Sequence, residues 1–346
     1  MRLCRWMAIA AASVLLAAGC GGDHGSDATA RAHAESSLQP ATNVSPNPRS
    51  LWITLDSRAG AENVGILTAQ LLRYFEARGL HVEAGAPANV AAPVLYVAEK
   101  TAALGISQLP QVVMARAEGE PVVAVGSLLP QPTAAMIWLP ESGIRDLADL
   151  RGKTIAIPGV PFQKAFLMAV LARAGLAPND VEVKEVGYNL VPALVNGRAD
   201  AILGAQNLDG ARLEARGRAP VVTPLRDLGV PPYDEIVVVA RASRLSTDPQ
   251  MIRHFLAATT HGAAAAVEDP DVAEEAVENA YERDWALDAR AVAAQLRATL
   301  PLLSATGYVN PARAARLVAW MHHRGMIPRR VPVEELLTNR FVQPRG

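Results

Sequence analysis

Short runs of β-branched and apolar residues alternate along this chain with longer segments whose apolar residues recur every three or four positions. The run Leu51 to Leu55 predicts a strand, and Glu62 to Arg78 predicts a helix that Gly79 ends. The strand predicted at Thr154 to Ile157 and the helix predicted from about Phe162 to Ala174 repeat this order. Alternation of this kind is typical of an α/β fold.

The stretch Val186 to Leu208, VGYNLVPALVNGRADAILGAQNL, condenses the same pattern into strand, short helix and strand. A β-branched run at Glu182 to Gly187 predicts its first strand, Val191 to Val195 its helical turns, and Asp200 to Gly204 its second strand. Open α/β sheets bind ligands at the carboxyl ends of their strands. We therefore expect the polar side chains after these two strands to face a ligand. These are Tyr188, Asn189, Gln206, Asn207 and Asp209.

The segment Met1 to Cys20 has the organisation of a targeting segment, with a basic start, an apolar run and small residues before Cys20. A cysteine in this place resembles a lipobox, which implies cleavage before Cys20 and a lipid on its sulfur. A plain signal peptide cut elsewhere and an uncleaved anchor are open alternatives, although a membrane span needs roughly 20 apolar residues. Gly21 to Ser50 is rich in Gly, Ser, Asp, Ala and Pro, and predicts a flexible tether.

Composition excludes several classes of site. The chain has two cysteines, Cys4 and Cys20, so we expect no disulfide and no reactive thiol in the folded body. Its formal net charge of −1 gives no basic footprint for nucleic acid. His254 and His261 lie two helical turns apart, too far to share an ion, so we expect no metal site and no cofactor.

The central stretch resembles the signature VGYDLVPALLSGKVDAVIG of bacterial binding lipoproteins for thiamine-pyrimidine precursors and riboflavin. These proteins are relatives of thiamine-pyrimidine synthases and of sulfonate and nitrate binding proteins. Residues 149–159, DLRGKTIAIPG, also resemble a signature of two-lobed solute-binding proteins. The resemblance covers roughly Leu51 to Val267 and departs from the family after the first strand. There the family carries a Trp-x-Pro-Asn segment whose Trp stacks on the ligand, and this chain has Asp56-Ser57-Arg58-Ala59.

The resemblance implies a type II periplasmic-binding-protein fold, an α/β fold of two lobes. Each lobe is a mixed sheet flanked by helices, and the ligand cleft lies between the lobes. Gln131 to Leu139 would cross to the second lobe and Glu235 to Ala240 would return, which predicts lobes at 51–133 with 235–346 and at 134–234. C-terminal helices are predicted at Asp248 to Val267, Asp271 to Tyr281, Asp288 to Leu300 and Pro311 to His323.

The resemblance also implies residues that bind the ligand, beginning with Asp56 in the first loop. Ser107 and Gln108 form a polar turn before a helix, where free N–H groups are available to a ligand, although Ser107 is equally suited to capping that helix. The turn from Gly159 to Phe162 would let a ligand approach the next helix, and Tyr233 at the hinge would close on it.

Two of the polar residues in the central stretch match family positions. Asn207 matches a family asparagine, and Asp209 stands in the place of the longer family glutamate that binds the edge of an aminopyrimidine. A carboxylate that accepts from a ring amine suits a neutral or weakly basic heterocycle. Asp209 is equally suited to capping a helix at Gly210 to Arg216.

The implied function is that of a monomeric, exported lipoprotein, anchored to the cell membrane and facing the periplasm or the cell exterior. It would capture a small heterocyclic ligand, a thiamine-pyrimidine precursor or riboflavin, and deliver it to the permease subunits of an ABC importer without catalysis. One alternative is a thiamine-pyrimidine synthase, whose family motif of cysteines this chain lacks. Another is a sensor or structural lipoprotein that has kept the fold and lost the ligand.

Overall fold

The computed structural model describes residues 38–280 and 288–342. The predicted targeting segment, with Cys20, lies outside these residues, as does most of the predicted tether. In the part of the chain that is described, no helix is long and apolar enough to cross a membrane.

The last part of the predicted tether is held against the body of the protein. The Ala41 N–H donates to Leu72 O at 2.9 Å, and the Ser45 N–H donates to Glu76 O at 3.0 Å. The first strand begins at Arg49, two residues before the predicted start. These bonds hold Ala41 and Ser45 near the end of α1, and the predicted boundary of the tether at Ser50 stays a prediction.

The described strands form two five-stranded sheets. In chain order they are β1 Arg49–Thr54, β2 Leu80–Gly85, β3 Leu104–Gln108, β4 Val122–Leu129, β5 Ala134–Trp138, β6 Thr154–Ile157, β7 Glu182–Glu185, β8 Ala201–Ala205, β9 Val221–Pro224 and β10 Ile236–Arg241. The first sheet has the order β2-β1-β3-β10-β4, and the second has the order β7-β6-β8-β5-β9. We call each sheet with its packed helices lobe 1 and lobe 2, respectively.

Both sheets are mixed, and each has one strand of reversed direction near its centre. In lobe 1, β10 runs antiparallel between β3 and β4, whereas β1, β2 and β3 are parallel. In lobe 2, β5 runs antiparallel between β8 and β9. The residues IVVVA of β10 are all buried, which explains the continuous β-branched run at this place in the sequence.

The described helices cover the sheets and form the C-terminal part of lobe 1. They are α1 Val64–Leu71, α2 Ala92–Ala98, α3 Leu109–Ala117, α4 Pro161–Arg173, α5 Leu190–Val195, α6 Ala211–Ala215, α7 Arg244–Thr247, α8 Pro249–Glu268, α9 Pro270–Ala280, α10 Ala289–Thr299, α11 Pro311–His323 and α12 Val333–Leu336. Val64 and Leu67 of α1 share a core with Val292 and Leu296 of α10, which we count with lobe 1, and α10 also packs against α6 of lobe 2.

The helix predicted from Glu62 to Arg78 is divided in the structure. A 3-10 turn at Ala61–Asn63 precedes α1, and a second 3-10 turn at Glu76–Arg78 follows it. Arg73 lies between them with φ of 57°, a left-handed conformation that a continuous helix does not contain. The apolar periodicity survives the break because Phe75 still packs into the core.

Helices α1 and α8 cross at two glycines. A Cβ on Gly262 would lie 2.2 Å from Gly65 O, so a larger residue would push the helices apart. This close crossing fixes α1 on lobe 1, and with it the loop and 3-10 turn that precede α1.

The outer edge of β4 is covered by the C-terminal part of the chain. Ala124 forms a parallel bridge with Leu337, and the Thr338 N–H donates to Ala124 O at 2.9 Å. Two chain crossings join the lobes, between β4 and β5 and between β9 and β10. The residue-level boundaries predicted for the lobes stay a prediction.

Candidate functional site

A cleft of about 240 Å³ opens where the carboxyl ends of strands from both sheets meet. Loops after β1, β6, β7 and β8 contribute to it, together with the end of β3 and the chain that precedes β10. The residues that carry the site's chemistry are Asp56, Glu62 and Asn63 from lobe 1, Tyr188 and Asp209 from lobe 2, and Glu235 from the second crossing. The cleft is thus placed where open α/β sheets usually bind their ligands.

Asp56 and Asn63 form a buried pair on the lobe 1 wall. Asp56 follows β1, Asn63 ends the 3-10 turn before α1, and the two are 3% and 1% exposed. Asn63 Nδ2 donates to Asp56 Oδ1 at 3.1 Å, whereas Asn63 Oδ1 has no hydrogen-bond partner among the described residues. Burial raises the pKa of Asp56 above its usual value.

Glu62 and Glu235 add two buried carboxyl groups to this wall. Burial raises the pKa of Glu62 well above its usual value, and the nearby charges of Asp56 and Glu235 raise it further. Burial also raises the pKa of Glu235 to about 7. Both groups therefore bind a proton more readily than an exposed glutamate.

Glu235 forms hydrogen bonds to both chain crossings. Its Oε2 accepts from the Thr133 N–H at 2.8 Å, and its Oε1 accepts from the Tyr233 hydroxyl at 3.4 Å. The Glu235 N–H also donates to Leu129 O at 2.8 Å. One side chain thus contacts both the cleft and the hinge.

Tyr188 presents an aromatic ring to the cleft from lobe 2. It is 38% exposed, and the Arg58 guanidinium of lobe 1 lies 5.6 Å from the centre of its ring. Burial and the charge of Asp56 raise the pKa of Tyr188 to about 12, so the phenol is neutral at physiological pH. A flat ligand can stack on this ring, which lies across the cleft from the loop that lacks the family tryptophan.

Asp209 lines the cleft but does not cap the helix that follows it. Its Oδ2 accepts from the Ala205 N–H at 2.9 Å, four residues earlier, across a single π-helical turn at Gln206–Gly210. A Cβ on Gly204 would lie 2.4 Å from Asp209 Oδ2, so glycine makes room for the carboxylate. Burial raises the pKa of Asp209 to about 6. Its second oxygen, Oδ1, makes none of the described hydrogen bonds to protein and is the atom suited to a ligand amine.

Four of the predicted binding residues line the cleft: Asp56, Gln108, Tyr188 and Asp209. Three others lie beside the lining without contributing to it. Gly159, with φ of 86°, is the turn between the lining residues Pro158 and Val160. Asn189 is exposed before α5, and Gln206 begins the π-helical turn.

Asn207 bridges the lobes instead of facing the cleft, which corrects its predicted role. Its Nδ2 donates to Thr299 Oγ1 at 2.9 Å and lies 3.4 Å from Glu62 Oε1. Gln295 Nε2 also crosses between the lobes and donates to Leu208 O at 3.2 Å. The π-helical turn therefore carries an inter-lobe contact on one side and Asp209 on the other.

Phe162 and Tyr233 lie in the core, so the expectation that they contact ligand is corrected. Both are fully buried, and each packs edge-on against Phe166, at 5.3 Å and 6.0 Å between ring centres. Trp320 of α11 packs on the same ring at 5.3 Å. These aromatic side chains join α4 to the hinge and to α11 behind the cleft.

Ser107 is also corrected, because it lies within β3 and neither lines the cleft nor caps α3. It is 1% exposed and pairs with Val237 of β10, and the cap position of α3 belongs to Gln108. Its Oγ has no hydrogen-bond partner among the described residues.

Sequence reasoning missed Glu62, Asn63 and Glu235. The first two lay within a predicted helix, and the third within a predicted strand. Polar residues inside these elements were not considered as candidates for ligand binding. A signal was present, since Glu62 and Asn63 open a helix directly after the first strand and its loop, a usual place for ligand contacts. Within the described ranges, no group of three His, Cys, Asp or Glu residues is arranged to hold a metal ion.

The sequence profile described as NMT1/THI5 like matches residues 61–273 of the chain. The chain belongs to the NMT1/THI5-like family. This matched segment contains both crossings between the lobes and most of the cleft lining, whereas the loop from Asp56 to Gly60 and Gln295 lie outside it.

Relatives within and around this family carry two kinds of name. A Haemophilus influenzae protein named for thiamine biosynthesis is 29% identical, over 82% of this chain and 90% of its own. A formylaminopyrimidine-binding protein of Halalkalibacterium halodurans is 32% identical, over 58% of this chain and 61% of its own. A 4-amino-5-hydroxymethyl-2-methylpyrimidine phosphate synthase of Schizosaccharomyces pombe is 29% identical, over 59% of this chain and 62% of its own. The family thus includes proteins named as binders and proteins named as synthases.

Solved structures confirm the fold class. The periplasmic aliphatic sulphonate binding protein SsuA of Escherichia coli superposes with a TM-score of 0.67 at 17% identity, covering 87% of this chain and 96% of its own. The predicted two-lobed periplasmic-binding-protein fold, with mixed sheets flanked by helices, is therefore confirmed.

Proposed function

We propose that this protein is the solute-binding component of an ABC importer and captures an amino-substituted heterocycle for delivery to permease subunits. The observation that carries this proposal is the cleft between the lobes. In this cleft the aromatic ring of Tyr188 lies opposite buried hydrogen-bond acceptors. Stacking on one side and acceptors on the other suit a flat ring that carries N–H donors. No covalent step is needed for this role.

The size of the cleft favours a single-ring ligand. Sites for drug-sized ligands usually occupy about 300–1,000 Å³. The cleft volume of about 240 Å³ lies below this range, which favours a thiamine-pyrimidine precursor over the three-ring riboflavin. The relative named as a formylaminopyrimidine-binding protein supports the same ligand class.

The role in import includes an exported location and a tether to the membrane. The sequence pattern before Cys20 supports a lipid anchor at that residue, with the folded body outside the cytoplasm. The fold shared with the periplasmic sulphonate-binding protein supports the same location. We propose that the protein acts as a monomer that closes around its ligand and docks on the permease.

The synthase alternative is favoured by the relative in Schizosaccharomyces pombe and opposed by the composition of the cleft. In the resembling synthases a lysine holds pyridoxal phosphate. Among the described residues that line the cleft there is no lysine, histidine or cysteine, so they do not fit that group. An absorbance band near the visible edge that disappears on reduction would favour the synthase.

The proposal is tested by identifying what the protein carries. The protein is purified without denaturation and then unfolded, and the released small molecules are identified by mass spectrometry. Titration of the refolded protein with aminopyrimidines and with riboflavin follows. We expect an aminopyrimidine to be released and to rebind at micromolar concentration or tighter, about −8 kcal/mol or better. Binding of an alkanesulfonate in place of both heterocycles would overturn the proposal.

A further inference from the structure

Buried acidic groups are concentrated on the lobe 1 wall of the cleft, and no cationic partner is described for them. Asp56, Glu62 and Glu235 are 3%, 7% and 5% exposed. The hydrogen bonds described for them come from amide, hydroxyl and backbone donors. No ion pair is described for any of these three carboxyl groups. A buried carboxyl group tends to hold its proton unless a positive charge is paired with it.

Asn63 gives an independent sign that a ligand donates hydrogen bonds here. It lines the cleft, it is 1% exposed, and its Oδ1 has no partner among the described residues. Its Nδ2 is already used on Asp56, which fixes the amide so that Oδ1 is the group left for a ligand. An unpaired buried acceptor is rare in native proteins and needs a donor from outside the chain.

The two arginines that line the cleft, one from each lobe, both lie near groups of lobe 2. Arg58 lies over the Tyr188 ring, and Arg212 lowers the pKa of Asp209. At the inner wall, the negative charges of Asp56, Glu235 and Asp209 each raise the pKa of Glu62. An anion such as a sulfonate would be repelled from this wall, whereas a cation would be attracted.

Resting on the proposed function, we propose that Asp56, Glu62 and Asn63 form a subsite for a protonated primary amine of the ligand. The ammonium group lies between the two carboxyl groups and Asn63 Oδ1, and the heterocyclic ring lies against Tyr188. An ammonium group has three donors and no acceptor, which matches a wall of acceptors. An aminopyrimidine with a free aminomethyl arm is a ligand of this chemistry. A formylated arm is neutral and has a single N–H donor, so most acceptors of the wall would have no hydrogen bond to the ligand.

The test compares three aminopyrimidines that differ in one ring substituent: aminomethyl, hydroxymethyl or formylaminomethyl. Calorimetric titration at neutral pH gives the dissociation constant of each. We expect the aminomethyl compound to bind at least about tenfold tighter than both neutral compounds. Equal or weaker binding of the aminomethyl compound overturns the subsite and leaves the proposed function standing. Failure of all three to bind overturns the proposed function itself.

Variants at the wall show which side chains give the preference for the charged compound. Glu62→Gln and Asp56→Asn keep the shape of each side chain and remove its ability to ionise. Each should weaken the aminomethyl compound by about tenfold and change the hydroxymethyl compound by less than about threefold. Glu118→Gln, at an exposed position on lobe 1 outside the cleft, is the matched control. Equal losses for charged and neutral compounds would assign the two acids to structure alone.

Proton release can be measured on the unmodified protein, so this test does not require any variant to fold. A cation that enters this wall favours the ionised carboxyl groups, so binding should release protons. Titrations of the unmodified protein in phosphate and in Tris, which differ in heat of ionisation, measure the number released. We expect release with the aminomethyl compound and none with the hydroxymethyl compound. No release with either compound overturns the subsite.

Discussion

Asn207 of lobe 2 donates a hydrogen bond from Nδ2 to Thr299 Oγ1 of lobe 1, at 2.9 Å. Both residues are at least 98% buried, so the bond is shielded from water. The same amide lies 3.4 Å from Glu62 Oε1, whose carboxyl group belongs to the cleft wall. Closure of the lobes and the state of the cleft are therefore linked through one side chain.

Asn207→Ala should weaken ligand binding by about fivefold to tenfold, because it removes a buried bond that holds the lobes together and leaves Thr299 unpaired. Thr299→Val, which keeps shape and removes the hydroxyl, should act similarly. Calorimetry on both single variants and on the double variant gives their coupling, expected at about 1 kcal/mol. Fully additive losses would show that the two groups act independently.

Asp209→Asn should weaken binding of an aminopyrimidine by about 1.5–3 kcal/mol, because the amide replaces a charged acceptor with a neutral one. The Asn oxygen can still accept from the Ala205 N–H, so we expect the melting temperature to change little. Titration and thermal unfolding of the same preparation separate the two effects. A lower melting temperature with unchanged affinity would assign Asp209 to the turn alone.

The ligand-free protein should lose stability as pH rises from about 4 to about 8. Burial raises the pKa of Glu235 to about 7 and of Asp209 to about 6, so the folded state holds protons that the unfolded state has released. The stability that these groups contribute is fully present below the pKa values they have in the unfolded chain. It is lost as pH rises through the higher pKa values they have in the folded protein. For Glu235 the loss is about 3 kcal/mol.

Urea unfolding at several pH values checks this dependence, and Glu235→Gln isolates one group. The difference in unfolding free energy between the native protein and this variant should fall with rising pH over the same window. Exposed carboxyl groups with lowered pKa, such as Asp149 and Glu182, act in the opposite direction and cancel in this difference. A difference that is flat from pH 4 to 8 would contradict the raised pKa of Glu235.

Tyr188→Ala should weaken binding of an aromatic ligand by about tenfold, since the ring is the stacking surface on lobe 2. Tyr188→Phe keeps the ring and should bind within about threefold of the unmodified protein. Tryptophan and ligand fluorescence during titration give both constants. A large loss in the Phe variant would instead give the hydroxyl group the main role.

The sequence predicted most strands because their burial is local and continuous. Thr154 to Ile157 matches β6, and the buried run IVVVA of β10 was recognisable without its partners. The break at Arg73 was not predictable, because the apolar spacing from Val64 to Phe75 continues through it. The π-helical turn at Gln206–Gly210 was likewise hidden, since it depends on the Asp209 contact to Ala205.

The site was predictable where a polar residue ends a strand and not where polar residues from distant segments converge. Asp56, Tyr188 and Asp209 follow strands and line the cleft, and their contact with a ligand stays a prediction. Glu62 and Glu235 are 173 positions apart in the chain, and their proximity depends on the sheet order that brings β10 beside β3. Phe162 and Tyr233 were assigned to the cleft because they lie in turns, but their apolar rings are stabilised more by the core.

The position of β10 has a consequence for synthesis of the chain. Lobe 1 needs this strand between β3 and β4, yet β10 is made after the whole of the lobe 2 sheet. A ribosome-bound chain whose residues up to 235 have left the exit tunnel can complete the second sheet but not the first. Lobe 2 should therefore resist protease on such stalled chains while the segment before it is cut. Lobe 1 would become resistant only when translation has passed the C-terminal residues that cover β4.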